Sequence, residues 1–299
     1  MDLISVVMPV YKEDLNILKQ SVYSILNQNY PNIEFIIVLD NPLYTDAIKY
    51  LRTIEQIHEN VFVVVNAKNE GIVFSLNRGI DLSHGKYIAR MDADDISVDF
   101  RLSKELSYLK RGNYDLIGSY YYNVDINSDI KNKVKLPVTF NEVKRKLNYD
   151  NCLCHPSWLA KRKLFIELDG YRNISNCEDY DFLVRACLKK YKIGNIPQYL
   201  LKYRIDSEGI SKRNFYPQRI ISKLIAKKYR ENEILDYKYF KEFINSDEYQ
   251  NKIEKYRYMD KLRNRYKHSR GYVKAILLCR LCFNLDFVSE KIIYYIFGR

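Results

Sequence analysis

The chain has 299 residues, with 49 Lys and Arg against 37 Asp and Glu and 47% hydrophobic content; that is enough apolar side chain for a core, and it excludes disorder and collagen-like order. Uncharged apolar stretches such as Ala275 to Cys279 and Ile292 to Gly298 fall far short of the roughly 20 residues of a spanning helix. Basic and acidic residues number 8 and 14 in positions 1–100, 18 and 11 in 101–200, and 23 and 12 in 201–299, a gradient that suits an acidic metal site joined to a basic docking region better than one nucleic-acid surface.

In chain order, short apolar runs alternate with amphipathic segments: Ile4 to Met8 then Asp14 to Asn27, Ile33 to Leu39 then Leu43 to His58, Val61 to Val65 then Ile72 to Leu82, and Tyr87 to Met91. The order strand, helix, strand, helix, strand, helix, strand predicts an α/β fold with a mainly parallel sheet covered by helices. Ligands are then expected at the carboxyl ends of the strands. Those ends carry Pro9-Val10-Tyr11-Lys12-Glu13, Asp40-Asn41-Pro42, Asn66 to Gly71 and Asp92-Ala93-Asp94-Asp95. Neither G-x-G-x-x-G after the first strand nor G-x-x-x-x-G-K-[ST] occurs, so bound phosphate is expected on a metal. Tyr114 to Val124 reads as a further strand, followed by a loop or hairpin through Lys135. A helical pattern opens at Ser175-Asn176-Cys177-Glu178, and after Tyr203-Arg204 the text becomes helical and rich in Lys, Arg and Tyr. A boundary near residue 215 separates 1–215 from a basic helical region, 216–299.

Six cysteines are too few for a disulfide scaffold, and the start of the chain lacks a basic region, a long apolar segment and a cleavage site, so a cytosolic protein with thiols in packing roles is expected. Cys152-x-Cys154-His155 and Cys279-x-x-Cys282 allow a zinc reading, but no complete four-ligand set appears.

Asp92 and Asp94 stand at i and i+2 at a strand end, where a turn brings both carboxylates to one hard cation, Mg2+ or Mn2+. The alternative is capping: Asp92 of a turn, and Asp94 or Asp95 of the helix containing Phe100 to Leu109. Ser175-x-x-Glu178 has the form of a capping box, which assigns Glu178 mainly to support.

The motifs in sequence are Pro9 to Glu13, Asp40, Asn69-Glu70-Gly71 with Ser75-Leu76-Asn77-Arg78-Gly79, Met91 to Asp95, Arg101-Leu102, His155-Pro156-Ser157, Glu178-Asp179-Tyr180-Asp181 and Tyr203-Arg204. Their order and spacing resemble an inverting family 2 glycosyltransferase of the GT-A fold, of the bacterial capsule or lipopolysaccharide type. The resemblance implies a nucleotide-sugar half (1–112) and an acceptor half (113–215). It implies a nucleotide pocket of Pro9, Tyr11, Glu13, Asp40, Asn69 and Asp92, with Asp40 accepting a uracil N–H. It makes Asp92 and Asp94 a D-x-D motif for Mn2+ or Mg2+ and Asp179 the catalytic base. His155, Trp158 and Glu178 then border the acceptor, Trp158 as a stacking surface or a core aromatic, and Tyr203-Arg204 closes over the phosphates. Many relatives have His two residues after that Arg, where Asp206 stands here as an alternative oxygen ligand; Asn41-Pro42 is a second departure from the family text.

In the last third, Lys255, Arg257, Lys261, Arg263, Arg265, Lys267 and Arg270 interleave with Tyr256, Tyr258, Met259, Leu262 and Tyr266, and apolar positions recur through Ile276 to Phe297. This suits peripheral contact with an anionic membrane, against packing on the catalytic domain or on a second subunit. The expected protein is a metal-dependent transferase moving a UDP-sugar's glycosyl group to a saccharide or lipid-linked acceptor at the cytosolic face of the inner membrane. The competing reading is a non-catalytic basic module for anionic membrane or nucleic acid.

Overall fold

Apolar runs with no polar alternation belong in strands covered on both faces, and the first third of the chain behaves this way. In the computed structural model, which describes residues 1–205 and 214–272, β1 (Ile4–Val10), β2 (Ile33–Leu39), β3 (Val61–Val65) and β4 (Tyr87–Arg90) pair in parallel. Between them run α1 (Leu15–Leu26), α2 (Thr45–Ile57) and α3 (Ile72–Asp81). The Asp14 side chain accepts the amides of Asn16 and Ile17 and so starts α1.

The chain continues through β5 (Ile96–Ser97), α4 (Arg101–Arg111), the hairpin of β6 (Leu116–Val124) and β7 (Ile130–Val134), and α5 (Phe140–Leu147). A short 3-10 turn (His155–Ser157), β8 (Leu159–Lys161), α6 (Arg162–Glu167), α7 (Glu178–Leu188) and β9 (Ile193–Arg204) follow. The sheet order is β3-β2-β1-β4-β8-β6-β9-β5, with β7 on β6. β8 is antiparallel to both β4 and β6, whereas β6 and β9 are parallel.

One register detail separates the ends of β1 and β4. β1 pairs with β4 only from Ile4 to Val7, the last contact being Met91 N to Val7 O at 3.1 Å. Beyond Val7, β1 keeps only β2 as its partner. Pro9, which has no N–H, falls where the neighbour on that side has already turned away, so no ladder bond is lost. The diverging β4 delivers Asp92 to Asp95 beside the end of β1.

Two apolar clusters lie on the two faces of the sheet, one including Leu18, Phe35, Ile37 and Leu106 and the other including Leu76, Leu116, Trp158 and Phe182. The last described helices, α8 (Phe215–Arg230), α9 (Tyr237–Ile244) and α10 (Asp247–His268), insert Ile221, Ile225, Phe240 and Ile253 into the second cluster. On α10, Ile253, Met259 and Leu262 are buried, while Lys255, Arg257, Lys261, Arg263, Arg265 and Lys267 are exposed. No helix among the described residues is long and apolar enough to cross a membrane. The apolar positions from Ile276 to Phe297, and Cys279-x-x-Cys282, lie outside the described residues.

Candidate active site

The loops after β1 and β2 form one wall. Asp40 is buried and bonded by three donors: Asn66 Nδ2 at 2.6 Å and Glu70 N at 2.9 Å reach Oδ1, and Gly71 N at 2.8 Å reaches Oδ2. The carboxylate therefore pins the 66–71 loop at the start of α3, where Gly71 takes φ of 91°, a region that suits glycine. Asn69 is exposed and its Oδ1 accepts Gly71 N at 3.1 Å. Pro9 is buried within β1, and Tyr11 and Glu13 stand half-buried just beyond it. Glu13 Oε2 accepts the Tyr11 amide at 2.8 Å, and burial pushes its carboxyl pKa up, with the Asp92 charge adding to the effect. An open groove of about 410 Å³ runs beside Glu13, between Lys12, Asn41 and Tyr44.

The next wall is the turn after β4. Carboxylate oxygens of Asp92, Asp94 and Asp95 all lie within 4.8 Å of one another. Helix capping does not account for them: α4 starts at Arg101, and its N-cap, Phe100, provides no side-chain bond. Instead the turn is fastened from outside. Arg90, at the end of β4 and 5% exposed, pairs with Asp92 in the turn that follows. Asp95, 1% exposed, accepts Arg204 N at 2.8 Å on Oδ1, and its Oδ2 has no partner. Ser21 Oγ donates to Asp95 O at 2.5 Å.

Arg204 does not reach over a ligand. Its Nε donates to Asp94 O at 2.8 Å, its Nη1 to Ile126 O at 2.7 Å and its Nη2 to Gln20 Oε1 at 3.0 Å, so it is a buried brace for the acidic turn. Burial raises the Asp94 pKa to about 7, with the Asp92 and Glu13 charges adding to it, and raises Asp95 well above the ordinary value, with Asp94 and Asp92 adding there. Crowded carboxyl oxygens with one orphan among them, which become acceptor-only once ionised, fit a hard divalent cation. Asp206, the further candidate ligand, lies outside the described residues.

Facing this turn is the start of α7. Asp179 accepts Asn151 Nδ2 on Oδ2 and the Tyr180 amide on Oδ1, each at 2.6 Å. Burial raises its pKa to about 6 against the opposing pull of those bonds and of Arg90. Glu178 is raised to about 7 by burial and by Asp179, with Asp92 contributing as well. The Arg90 charge thus reaches both α7 carboxylates and the Asp92 charge reaches Glu178, so the two acidic groups lie near one another.

Several expectations for this wall need correction. Glu178 is not part of a capping box: Asn176 turns left-handed at φ 58°, the N-cap is Cys177 without a side-chain bond, and Ser175 is exposed. Glu178 Oε2 is consequently buried without a partner. Trp158 is not an acceptor platform. It is 1% exposed and packed against His155, Tyr171 and Phe182, with ring centroids at 4.6, 6.4 and 5.9 Å; burying so large an aromatic contributes about 2–3 kcal/mol to the core. His155 is tied to the same group, its Nε2 2.8 Å from the Tyr171 hydroxyl, and burial, reinforced by Arg90, holds its pKa well below the ordinary value. Beside them the buried Asp181 is occupied within the protein, bonded to the half-buried Arg172 through Nε at 3.0 Å and to the buried Arg185 through Nε at 2.7 Å.

Comparison with known proteins decides the family. The sequence profile "Glycosyl transferase family 2" matches residues 5–169. The chain belongs to that family. This family 2 glycosyltransferase is 34% identical over 233 residues to an uncharacterized glycosyltransferase of Methanocaldococcus jannaschii, covering 77% of this chain and 80% of the relative. It is 29% identical over 214 residues to the O-antigen biosynthesis glycosyltransferase WbnJ of Escherichia coli, covering 71% and 83%. The mannosyltransferase PcManGT from Pyrobaculum calidifontis, solved with GDP-Man and Mn2+, superposes with a TM-score of 0.62 at 15% identity over 95% of this chain and 81% of that one. S. aureus TarS 1–349 with UDP gives 0.58 at 16% identity over 80% and 68%. These two likenesses establish the GT-A fold. The family makes the protein a glycosyltransferase and sets aside the reading as a non-catalytic basic module.

Three residues around these carboxylates were not singled out from the sequence. Arg90 was legible in principle, two residues before Asp92 on a strand. Asp95 was read only as a cap. Asn151 carries no local signal, because its role depends on a loop and a helix 28 residues apart in sequence.

Proposed function

We propose that this glycosyltransferase moves a hexosyl or N-acetylhexosaminyl group from a UDP-sugar to a hydroxyl of a saccharide acceptor, with inversion and with dependence on Mn2+ or Mg2+. The acceptor is lipid-linked and the reaction belongs to surface-polysaccharide synthesis at the cytosolic face of the inner membrane. WbnJ, named for O-antigen biosynthesis, supports the polysaccharide setting, and the exposed basic face of α10 supports peripheral contact with anionic lipid.

The observation that carries the mechanism is the meeting of two acidic groups held in different ways. Asp179 keeps free lone pairs on oxygens already oriented by Asn151 and the Tyr180 amide. It takes the proton of the acceptor hydroxyl as that oxygen forms a bond to the anomeric carbon and the bond from that carbon to the diphosphate oxygen breaks; one base on one side suffices for inversion. Asp94 and Asp92 would hold the divalent cation, which when bound supplies Lewis-acid stabilisation of the departing diphosphate. On the nucleotide side, Asp40 Oδ2 accepts one protein N–H and retains a lone pair for a uracil N–H. Glu13, Tyr11, Pro9 and Asn69 complete that wall.

Thermal-shift titration of UDP and GDP, each with and without Mn2+, tests donor and metal together, since a ligand of the native state stabilises by mass action. A rise with UDP that requires Mn2+ is expected. An equal or larger rise with GDP overturns the uridine assignment, and a rise indifferent to chelator overturns the metal assignment. A UDP-sugar panel then identifies the transferred group.

A further inference from the structure

The outer part of the sheet carries a tyrosine cluster that none of the proposed catalytic roles uses. Side chains alternate along β6. Ile117 and Tyr121 face the cluster of α1 and α4, whereas Leu116 faces the cluster of α7, as do Gly118, Tyr120 and Tyr122 by the same alternation. Along β9 the same parity would turn Tyr199 the way of Leu201. It does not, because the β9 register slips around Leu200: Tyr120 pairs with Tyr199, but Tyr121 pairs with Leu201. A bulge of this kind re-aims a side chain, and here it brings Tyr199 to Tyr120 and Tyr122, with ring centroids at 5.4 and 4.8 Å.

Lys133 and Lys202 lie opposite Tyr122 on its two flanking strands. Lys133 Nζ sits 5.7 and 5.6 Å from the Tyr122 and Tyr199 centroids. Lys131 is neutralised by Asp125 at 2.6 Å, but neither Lys133 nor Lys202 has an ion pair among the described residues. Glu142, whose charge reaches Tyr120, is engaged by the amides of Val138 and Thr139. The three tyrosines are half-buried, so part of each side chain is accessible.

The position ties this surface to the cleft. β6 and β9 run toward the acidic turn, where Val124 pairs with the brace Arg204. A Cβ at Gly118 would lie 3.6 Å from Leu153, two residues after Asn151, which holds Asp179. Gly118, on the same face of β6 as Tyr120 and Tyr122, thus borders the segment that carries Asn151.

We propose that Tyr120, Tyr122 and Tyr199, with Lys133 and Lys202, form an acceptor subsite for a negatively charged saccharide chain. Flat aromatic faces take the C–H faces of pyranose rings, and the unpaired ammonium groups take carboxylate or phosphate substituents. The assignment of this ligand as acceptor rests on the saccharide-acceptor reading above, but the binding does not depend on donor or metal.

The test uses the full chain without nucleotide or metal, in calorimetric titrations with oligogalacturonate, with neutral dextran of equal length and with inorganic polyphosphate. Oligogalacturonate is expected to bind more tightly than either control. Tyr199→Ala and Lys133→Gln should each weaken it about fivefold or more, and Tyr199→Phe should retain it. All three variants should keep the wild-type Tm and the wild-type UDP shift. Equal binding of dextran removes the charge requirement, equal binding of polyphosphate removes the sugar-ring requirement, and unchanged affinity in both weakened variants removes the site; each overturns the proposal. A failure of the UDP and Mn2+ titration leaves these outcomes readable, so the two readings fail separately.

Discussion

The two acidic groups, one at the turn after β4 and one at the start of α7, are built differently. The Asp92 to Asp95 turn is lashed down by an arginine on its own strand, by Arg204 from β9 and by Ser21 from α1. The Glu178–Asp179 pair has one side-chain partner, Asn151, and leaves Glu178 Oε2 with none. A group that holds static charge is best immobilised on all sides, whereas a group that exchanges a proton needs lone pairs left open and a pKa near the working range.

Substitutions should separate the two. The largest effect is expected for Asp179→Asn, about a 10³-fold fall in kcat with UDP-sugar affinity retained; normal transfer by this variant would end its assignment as base. Asp94→Asn should lower Mn2+-supported turnover about 10²-fold or more and abolish the Mn2+-dependent part of the UDP thermal shift. If it keeps that shift, the acidic turn is not the cation's site.

The pH profile sharpens the contrast further. With the Asp179 carboxyl raised to about 6 by burial, transfer should decline as pH falls through that value, the base being lost to protonation. Stability runs the other way. A carboxyl whose folded pKa lies above its unfolded one favours the fold at low pH, and that contribution disappears as pH rises through the folded value. Asp179→Asn should therefore melt above the wild type at about pH 8 and converge with it below about pH 4. Identical melting curves at the higher pH would show that Asp179 carries no burial penalty.

The smallest effect is expected beneath the cleft. Arg101 and Glu105 are fully buried, but their closest approach is 3.9 Å and neither Glu105 oxygen accepts a hydrogen bond. Arg101 is held by carbonyls, with Nη1 on Pro156 O at 2.6 Å and Nη2 on Arg90 O at 3.2 Å. Burial raises Glu105 to about 8, so we take it as protonated at neutral pH, despite the ion-pair spacing. Glu105→Gln should cost under about 1 kcal/mol in urea unfolding at pH 7, whereas Arg101→Ala, which orphans those carbonyls, should cost about 3 kcal/mol. A large loss from Glu105→Gln would restore a charged pair.

The strands of the nucleotide side were legible because a run such as Ile33–Leu39 has no other economical place than a sheet interior, and their carboxyl ends pointed to Asp40, Asp92 and Asp94. The acceptor side was harder for local reasons. A single left-handed residue, Asn176, dissolves an apparent capping box. The sole tryptophan has the same sequence appearance as a sugar platform or a core residue, and only the packing of Phe182 and Tyr171 around it decides. The slip at Leu200 depends on strand pairing that composition does not encode.

Asp40 has one more consequence. With three amide donors from the 66–71 loop already gathered on it, that wall takes its shape when the chain folds, before any nucleotide arrives. The ordering entropy of the segment is lost once, during folding, rather than at each turnover. A nucleotide bound at this wall, as proposed above, should then dock onto a finished surface, with association limited by encounter and not by loop closure.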